Sequence, residues 1–249
     1  SMLFTGCSKK AESKVPDKLI VGTNAEFPPF EYMNDKKQPE GFDIAMIKEI
    51  GKRMDKKVEI KNMEFKSLIG AMESDSINAI IAGMTKTEKR EKAVDFSDSY
   101  YTTNQAIILK KDSKITKLAQ LDGKKIGVQE GTTGDLISSG DKFGDGKKAK
   151  VLVKGAKVKR FKKGVDAVMD LKNGSVDAVV IDELTANEFV KKNAKKLKLV
   201  IDSAGSEYYC IALTKGNTAY KEEVNKQIKA IKEDGTYDKL KAKYIDSKN

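Results

Sequence analysis

Apolar segments that alternate between strand-like and helix-like patterns run along almost the whole chain of 249 residues. KLIVG at 18–22 is a short apolar run that leads into a loop, and FDIAMIKEIGKRM at 42–54 follows it with apolar residues at helical spacing. KKIGVQ at 124–129 and GVDAVMDLKNG at 164–174 repeat this order of strand and helix later in the chain. The same patterns predict further strands at 78–84, 105–111, 197–201 and 207–215, and further helices at 115–123 and 218–233. Because alternating strands and helices pack as helices on largely parallel sheets, we predict an α/β fold.

Two short segments in the first half of the chain are echoed in the second half. SINAIIAG at 76–83 matches SVDAVVID at 175–182 in residue class over the first six positions, and each segment follows a helical pattern. VGTN at 21–24 and QEGTT at 129–133 are both strand ends that open into a Gly-Thr loop. We therefore predict two α/β lobes. Since ligands of open α/β sheets bind beyond the carboxyl ends of the strands, two facing lobes would form one cleft.

Composition excludes several classes of function. The chain has no His, which excludes a His-based catalytic triad, a His proton shuttle and a His-containing zinc site. Its two Cys, Cys7 and Cys210, are too few for a disulfide scaffold or a Cys-only metal site. No stretch approaches the roughly 18 consecutive apolar residues of a membrane-spanning helix. We expect neither a metal nor a cofactor.

The formal net charge of +11 first suggests nucleic acid or an anionic membrane as a partner. Acidic residues are interleaved with the basic ones, however, as in EKREKAVDFSD at 88–98, and KVKRFKKG at 157–164 carries no nucleic-acid motif. We therefore expect solvated faces and no nucleic-acid binding. Only three of the 48 basic residues are Arg, namely Arg53, Arg90 and Arg160. A rare Arg hints that the planar guanidinium, which grips a carboxylate with two bonds, is needed there.

The N-terminal residues predict where the protein resides. LFTGC at 3–7, followed by the polar stretch SKKAESKVPDK at 8–18, resembles the end of a bacterial lipoprotein signal peptide. On this interpretation Cys7 is lipidated, residues 1–17 form an N-terminal tether and the folded body starts near Lys18. The alternative is an ordinary Cys in an N-terminal tail. Cys210 is then expected to be a lone buried thiol.

The predicted strand ends gather residues that suit a zwitterionic ligand. Arg90 would clamp a carboxylate with two bonds, and Asp182 would accept hydrogen bonds from an ammonium group. Phe27 and Phe65 would flank an aliphatic or planar side chain, and a guanidinium over such a ring gains cation–π energy. The candidate ligand-binding residues are Asn24, Glu26, Phe27, Phe65, Ala82, Gly83, Met84, Thr85, Arg90, Gln129, Thr132, Thr133 and Asp182.

Each of these residues also has a purely structural interpretation. Arg90 lies in the charged run EKREK, where a surface position is usual, and Asp182 would cap the helix that follows it. Phenylalanines are more often core than site, and Thr132 or Thr133 would cap a helix over 133–139. The common location at strand carboxyl ends favours the functional interpretation.

Several motifs together resemble one protein family. The chain resembles the extracytoplasmic solute-binding proteins of polar amino-acid ABC transporters, which include arginine-, lysine/histidine- and glutamine-binding proteins. The similarity extends from about Lys18 to Tyr244, and its motifs are VGTNAEFPPFEY (21–32), GFDIAMIKEI (41–50), IAGMTKTEKREKAVDFSDSYY (81–101), KKIGVQEGTTGD (124–135), VDAVVIDELTANEFV (176–190) and SEYYCIALTKGN (206–217).

The resemblance implies a periplasmic-binding-protein fold of type II, a two-lobed Venus flytrap in which each lobe is a mostly parallel sheet flanked by helices. The first lobe would comprise residues 18–101 together with 208–249, and the second lobe residues 102–207. Two hinge crossings, near 99–105 and 204–209, would join them.

The resemblance also implies roles for individual residues. The family's carboxylate clamp falls on Arg90, with the Thr85 hydroxyl and the backbone N–H groups of Thr85 and Thr133. Its ammonium ligands fall on Asp182, the Gly83 carbonyl and Thr85.

The ligand side chain would be held by a further set of residues. The family's aromatic walls fall on Phe27 and Phe65, and its side-chain readers on Asn24, Glu26 and Gln129. Relatives of the lysine/histidine type usually carry Asp at the position of Asn24, so a familiar cation contact is absent, and Glu26 would supply the negative charge. The motifs most resemble the arginine-binding branch. We expect arginine as the ligand, then lysine or another cationic amino acid such as histidine, then glutamine.

The predicted function is therefore extracytoplasmic capture of a polar or cationic L-amino acid and its delivery to an ABC transporter permease by cleft closure. We expect a monomer in the periplasm or on the outer face of the cell membrane, attached only through lipid at Cys7, with no catalytic residue. A cyclohexadienyl-dehydratase-like enzyme is an alternative, but those enzymes carry Glu where this chain has Thr185. A receptor or sensor domain is a further alternative on the same fold.

Overall fold

Strands and helices alternate through the described part of the molecule. The computed structural model describes residues 13–140 and 153–246, with the backbone alone at 202–205, so Cys7 lies outside the described residues. The strands are β1 (Lys18–Thr23), β2 (Glu26–Phe27), β3 (Glu31–Met33), β4 (Pro39–Glu40), β5 (Lys57–Asn62), β6 (Ala79–Ile80), β7 (Val94–Lys110), β8 (Lys125–Gln129), β9 (Lys157–Phe161), β10 (Ala178–Asp182) and β11 (Leu197–Thr214). The helices are α1 (Phe42–Arg53), α2 (Leu68–Glu73), α3 (Glu88–Glu91), α4 (Thr133–Ser139), α5 (Gly164–Asn173), α6 (Glu183–Lys191), α7 (Thr218–Glu233) and α8 (Thr236–Tyr244).

The main sheet has eight strands in the order β5-β1-β6-β11-β7-β10-β8-β9, and β2, β3 and β4 form a small sheet beside it. β5, β1 and β6 are parallel to one another, as are β10, β8 and β9. We call the half built on β5, β1 and β6 the first lobe, and the half built on β10, β8 and β9 the second lobe. Helices α1, α2, α7 and α8 pack in the first lobe, and α4, α5 and α6 in the second.

β7 and β11 connect the two lobes. They are antiparallel to each other from Leu197 opposite Lys110 to Thr214 opposite Val94. β7 also pairs with β10 in the second lobe, and β11 with β6 in the first. The register between them shifts between Asp202 and Glu207, which is where β11 leaves one lobe for the other. We call β7 and β11 the crossing strands.

Helix α1 shows how local sequence shapes the first lobe. Gly41, immediately before it, has a φ of 128°, and a Cβ there would lie 2.4 Å from the carbonyl oxygen of Phe30, so this entry requires glycine. Phe42, Ile47 and Ile50 then recur at helical spacing and are buried against the sheet. Fully burying a side chain of this size contributes about 1.5–3 kcal/mol.

Aromatic rings fill the core where the crossing strands pass between the lobes. The ring of Phe30 lies edge-on to those of Tyr101 and Tyr209, with centroids 5.1 Å apart in both pairs. Phe42 continues the cluster at 6.3 Å from Phe30. Edge-to-face packing of this kind contributes about 0.5–1.5 kcal/mol per pair beyond burial. This packing therefore fixes the position of the Tyr209 ring.

The predicted α/β fold is confirmed, and three local predictions differ from the structure. Separate strands predicted at 105–111 and at 197–201 with 207–215 are parts of the two continuous crossing strands. The strand predicted at 78–84 is only Ala79–Ile80, because the chain turns away at Gly83, where φ is 54°. The helix predicted at 115–123 is a single 3-10 turn at Leu118–Leu121.

Candidate functional site

A small pocket lies between the lobes, beyond the ends of β1, β6, β8 and β10. Its volume is about 10 Å³, which is room for about one water molecule. Both lobes contribute to its wall, so the facing strand ends form one cleft as the sequence predicted. The lining residues are Phe27, Phe65, Ala82, Gly83, Thr85, Arg90, Gln129, Thr132, Thr133 and Asp182.

Arg90 is buried in this pocket and does not lie at the surface. It is held on α3, whose first turn is capped by the Thr87 hydroxyl, which accepts from the Arg90 N–H at 3.2 Å. Its guanidinium donates to the carbonyl oxygens of Thr85 at 2.6 Å and Gly131 at 3.0 Å, and it lies 5.5 Å from the centre of the Phe65 ring. Burial lowers the pKa of Arg90 to about 10, so the group remains cationic at neutral pH.

Asp182 ends β10 and points into the pocket. It occupies the residue before α6, but its side chain makes no capping bond to that helix. One carboxylate oxygen instead accepts from the Gln105 amide at 2.8 Å, and the other accepts from the Tyr209 hydroxyl. Burial, followed by the charge of Glu207, raises the pKa of Asp182. A buried carboxylate whose pKa is raised in this way gains from an incoming cation.

Glu207 is a site residue that the sequence prediction missed. It lies on the crossing strand β11, and one oxygen of its carboxylate accepts from the hydroxyls of Thr133 at 2.9 Å and Thr85 at 3.1 Å. The same oxygen accepts from the Gln105 amide at 3.1 Å. Burial raises the pKa of Glu207. An acidic residue on a predicted hinge crossing, next to aromatic residues, was the signal that could have found it.

Gly83 is positioned by a buried carboxyl cluster behind the pocket. Its backbone N–H donates to Asp43 at 2.7 Å, and its positive φ and the Phe27 ring, 2.8 Å from where a Cβ would lie, exclude a side chain there. Glu31 is fully buried beside Asp43, and burial, followed by the Asp43 charge, raises its pKa well above the usual range. A proton held on Glu31 therefore lets the two carboxyl groups lie together.

Thr132 and Thr133 have different contacts. The Thr132 hydroxyl accepts from the N–H of Asp135 at 3.3 Å and donates to the carbonyl of Gln129 at 2.8 Å, so it caps α4 as the structural interpretation proposed. The Thr133 hydroxyl faces the pocket and donates to Glu207. Both threonines line the pocket, but only the Thr132 hydroxyl caps α4.

Asn24 and Gln129 bond to each other across the cleft. The Gln129 amide nitrogen donates to the Asn24 oxygen at 2.8 Å, and the Asn24 nitrogen donates to the carbonyl of Met63 at 2.8 Å. The amide oxygen of Gln129 has no hydrogen-bond partner among the described residues, so it is available as an acceptor at the pocket wall. Both side chains are buried, so this bridge closes one end of the pocket.

Glu26 and Met84 do not line the pocket. The Glu26 carboxylate lies 3.5 Å from the Lys163 ammonium of the second lobe, at the edge of the cleft. Met84 packs into the first-lobe core and borders a wider groove of about 470 Å³ on the far side of Arg90. The predicted role of Glu26 as a side-chain reader therefore stays a prediction. The other candidates are brought together in or beside the pocket.

Two kinds of site are absent from the described residues. Over 13–140 and 153–246, no group of three or more Cys, Asp or Glu side chains is arranged to hold a metal ion. In that same part of the chain, no helix is both long and apolar enough to cross a membrane. The pocket between the two lobes offers hydrogen-bonding groups and charged side chains.

The model of the bacterial extracellular solute-binding proteins, family 3, matches residues 19–247. The chain belongs to this family. An arginine-binding extracellular protein of Bacillus subtilis is 34% identical over 243 residues, which is 96% of this chain and 91% of the relative. Predicted family membership is thereby confirmed, together with the two-lobed α/β fold.

Solved structures give the same result. An ancestral arginine-binding protein bound to arginine is 41% identical, with a TM-score of 0.83, and covers 93% of this chain and 100% of its own. The same type of ancestral protein bound to glutamine has a TM-score of 0.84 at 41% identity, covering 93% of this chain and 99% of its own. An ancestral amino acid-binding protein described as a precursor of cyclohexadienyl dehydratase is 33% identical, with a TM-score of 0.80, and covers 92% of this chain and 95% of its own.

Proposed function

We propose that this protein captures free L-arginine outside the cytoplasm and delivers it to the membrane permease of an ABC importer. The observation that carries the proposal is the burial of Arg90 and Asp182 in one pocket formed by both lobes. The guanidinium of Arg90 would pair with the ligand carboxylate, and the carboxylate of Asp182 with its ammonium group. This pair would therefore bind the carboxylate and ammonium groups that all L-amino acids share.

The charge balance of the pocket favours a cationic ligand. When ionised, the buried Arg90 and Asp182 and the partly buried Glu207 carry one positive and two negative charges. The main-chain atoms of an amino acid add no net charge, so a neutral ligand would leave one buried carboxylate uncompensated. A guanidinium side chain would balance it, and buried uncompensated charge is costly.

The far end of the pocket suits a planar cation. The side chains of Phe27 and Gln129 both line the pocket, and a guanidinium needs an aromatic face and in-plane acceptors. The similarity to an ancestral arginine-binding protein supports arginine over lysine and histidine. Glutamine is the second candidate, because a protein of that type is also found with glutamine.

Uptake requires the lobes to separate and close. A cavity of about 10 Å³ admits about one water molecule, so an amino acid enters only when the cleft opens. The bond between Asn24 and Gln129 and the ion pair between Glu26 and Lys163 join the lobes in the closed form. A ligand shifts the equilibrium toward closure only through its greater affinity for that form. The closed, loaded protein is what the permease would recognise.

We also propose the remaining predicted features. The lobe limits are residues 18–101 with 208–249 for the first lobe and 102–207 for the second, supported by the pairing of the crossing strands with both halves of the sheet. The protein is a monomer anchored by lipid at Cys7, the last residue of the lipoprotein-like LFTGC segment. These features place the pocket at the outer face of the membrane or in the periplasm.

A dehydratase-like enzyme is a weaker candidate. Dehydratases on this scaffold carry Glu at the position of Thr185, and here the Thr185 hydroxyl donates to the carbonyl of Pro28 at 2.7 Å in a buried position. A threonine engaged in this way supplies no general acid for that reaction. We therefore propose binding without chemistry.

A thermal-shift panel of the twenty amino acids tests the proposal. Binding raises apparent stability by RT ln(1 + [L]/Kd), so ligands at equal concentration rank by affinity. We expect arginine to give the largest rise in Tm, followed by lysine and glutamine. The absence of a shift with every amino acid would contradict the proposed function, and a largest shift with an acidic or apolar amino acid would contradict the ligand class.

A further inference from the structure

One amide group joins the two carboxylates of the pocket. The Gln105 nitrogen donates to Asp182 at 2.8 Å and to Glu207 at 3.1 Å, and Tyr209 donates to the second oxygen of Asp182. Gln105 and Glu207 lie on different crossing strands, β7 and β11. The base of the pocket is therefore a connected layer of hinge residues, with the negative charge of Glu207 at one side.

The hydrogen bonds to Glu207 fix the direction of two hydroxyl protons. A carboxylate only accepts, and a hydroxyl has one proton to donate. Because the hydroxyls of Thr85 and Thr133 both bond to the same Glu207 oxygen, both protons point at Glu207 and away from the ligand. The lone pairs of the two threonine oxygens are then left for other donors. Thr85 therefore presents an acceptor to the pocket.

We propose that Glu207 is a ligand-positioning residue that makes the pocket selective for an α-ammonium group. It holds the Thr85 hydroxyl as an acceptor that supplements Asp182, and it adds negative charge at that end of the pocket. The inference rests on the proposed function, because it assigns a role in binding the main-chain atoms of an amino acid.

The role of Glu207 also depends on closure. Thr85 follows β6 in the first lobe and Thr133 begins α4 in the second, yet both reach the same oxygen of one carboxylate on a crossing strand. The three groups converge only when the lobes are together. Ammonium recognition and the closed form therefore require the same arrangement of side chains.

The test compares two ligands on two variants. Glu207→Gln keeps the shape and one acceptor oxygen but removes the charge, and Glu91→Gln makes the same change at a half-exposed surface carboxylate paired with Lys86. The ligands are L-arginine and 5-guanidinopentanoate, which lacks only the α-ammonium group. Calorimetry measures arginine, and an NMR titration to millimolar concentration measures the weaker analogue.

We expect Glu207→Gln to weaken arginine binding by about 10- to 100-fold, the scale of a lost hydrogen-bonded charge, and to weaken binding of the analogue, which keeps the guanidinium but lacks the ammonium group, clearly less. Glu91→Gln should bind both ligands as the wild type does. Equal losses for both ligands would show that Glu207 is only structural. Unchanged or tighter arginine binding would also overturn the inference, and tighter binding of both ligands would mark Glu207 as a competitor for the pocket.

A double-mutant cycle tests the path through Thr85. Thr85→Val removes the hydroxyl, so the further effect of Glu207→Gln on arginine affinity should be clearly smaller in that background than in the wild type. If the two substitutions reduce the free energy of arginine binding additively, Glu207 does not act through Thr85. A wild type that binds no amino acid contradicts the proposed function itself, whereas a wild type that binds arginine beside an unaffected Glu207→Gln variant contradicts this inference alone.

Discussion

We attribute ligand binding by this basic protein to a few charged side chains in and beside its pocket. The net charge of +11 is spread mostly as Lys over both lobes, whereas the pocket between them is lined by one carboxylate, Asp182, and one guanidinium, Arg90, and the carboxylate of Glu207 bonds to its lining residues Thr85 and Thr133. Buried charges interact far more strongly than exposed ones, which water and salt screen. We therefore expect the local charge of the pocket, and not the charge of the surface, to select the ligand.

Arg90→Lys is the sharpest test of the carboxylate clamp. Lysine keeps the positive charge but lacks the planar fork, so it loses two-bond recognition of a carboxylate and the present bonds to Thr85 and Gly131. We expect arginine affinity to fall by about 10- to 100-fold, the range for lost charged hydrogen bonds, as measured by calorimetry.

Arg53→Lys is the matched control for this change. Arg53 lies on α1 and pairs with Glu49 and Asp234 away from the pocket, so the same substitution should leave arginine affinity unchanged. Near-native affinity in Arg90→Lys would remove Arg90 from the carboxylate clamp.

For individual residues, the sequence predicted which charged side chains line the pocket better than it predicted the contacts that they make. Arg90 and Asp182 were predicted from strand ends and a family motif, and both line the pocket. Glu207 was missed because its position depends on the register shift that follows Asp202 in β11, which no local pattern encodes. Glu26 was predicted as a side-chain reader, but its direction depends on Lys163, 137 positions away in the chain and near only after folding.

Among the elements, the small sheet and α1 meet at the buried pair of carboxyl groups, Glu31 and Asp43. Asp43 lies in the first turn of α1 and holds the N–H of Gly83, while Glu31 begins β3. Tyr100 of β7 borders the pair, and Asp182 adds a further negative charge. Raised pKa values at Glu31 and Asp43 mean that the folded state retains a proton that the unfolded chain releases.

Glu31→Gln therefore has a pH-dependent effect on stability. Above about pH 4.3, the usual pKa of Glu, the folded wild type binds more protons than the unfolded chain at this site, so its free energy of unfolding falls as pH rises toward the folded pKa. Glutamine imitates the protonated acid and does not titrate. Relative to wild type, we expect the variant to gain up to about 1.4 kcal/mol per pH unit from about pH 5 upward, measured by urea unfolding.

The control is Glu59→Gln, a substitution on an exposed strand. Glu59 pairs with Lys18, and its pKa is lowered by that pairing, so the variant should not gain on the wild type as pH rises. A constant difference between Glu31→Gln and wild type from about pH 5 to about pH 8 would mean that Glu31 titrates normally.

The sequence predicted most helices within a residue or two, including α1, α5 and α7, because each has an apolar stripe at helical spacing. The crossing strands were predicted only in part. β7 contains the polar run between Asp98 and Asn104, where the chain passes from one lobe to the other and the alternation of buried and exposed residues breaks down. Long-range pairing with β11 sustains the strand there.

On the scale of the whole molecule, function requires the two lobes to move. The bonds that join the lobes include the exposed pair of Lys66 with Glu130 and the buried pair of Asn24 with Gln129. Exposed ion pairs contribute about 0–1 kcal/mol each, so the pair of Lys66 with Glu130 opposes opening only weakly.

Small-angle scattering should detect this closure. With saturating arginine, we expect the radius of gyration to fall from that of the unliganded protein, because the ligand favours the closed form. Arginine added to Arg90→Lys at the concentration that saturates the wild type should produce a smaller change. Identical curves for wild type with and without bound arginine would exclude closure as the response.

Calorimetric titration of the wild-type protein with L-arginine, and then with L-glutamine, tests the central claim most directly. The negative balance of Asp182 and Glu207 against Arg90 predicts one arginine per chain, with an affinity at least about tenfold higher than that for glutamine, or about 1.4 kcal/mol. Absence of arginine binding at millimolar concentration, or tighter binding of glutamine, would contradict it.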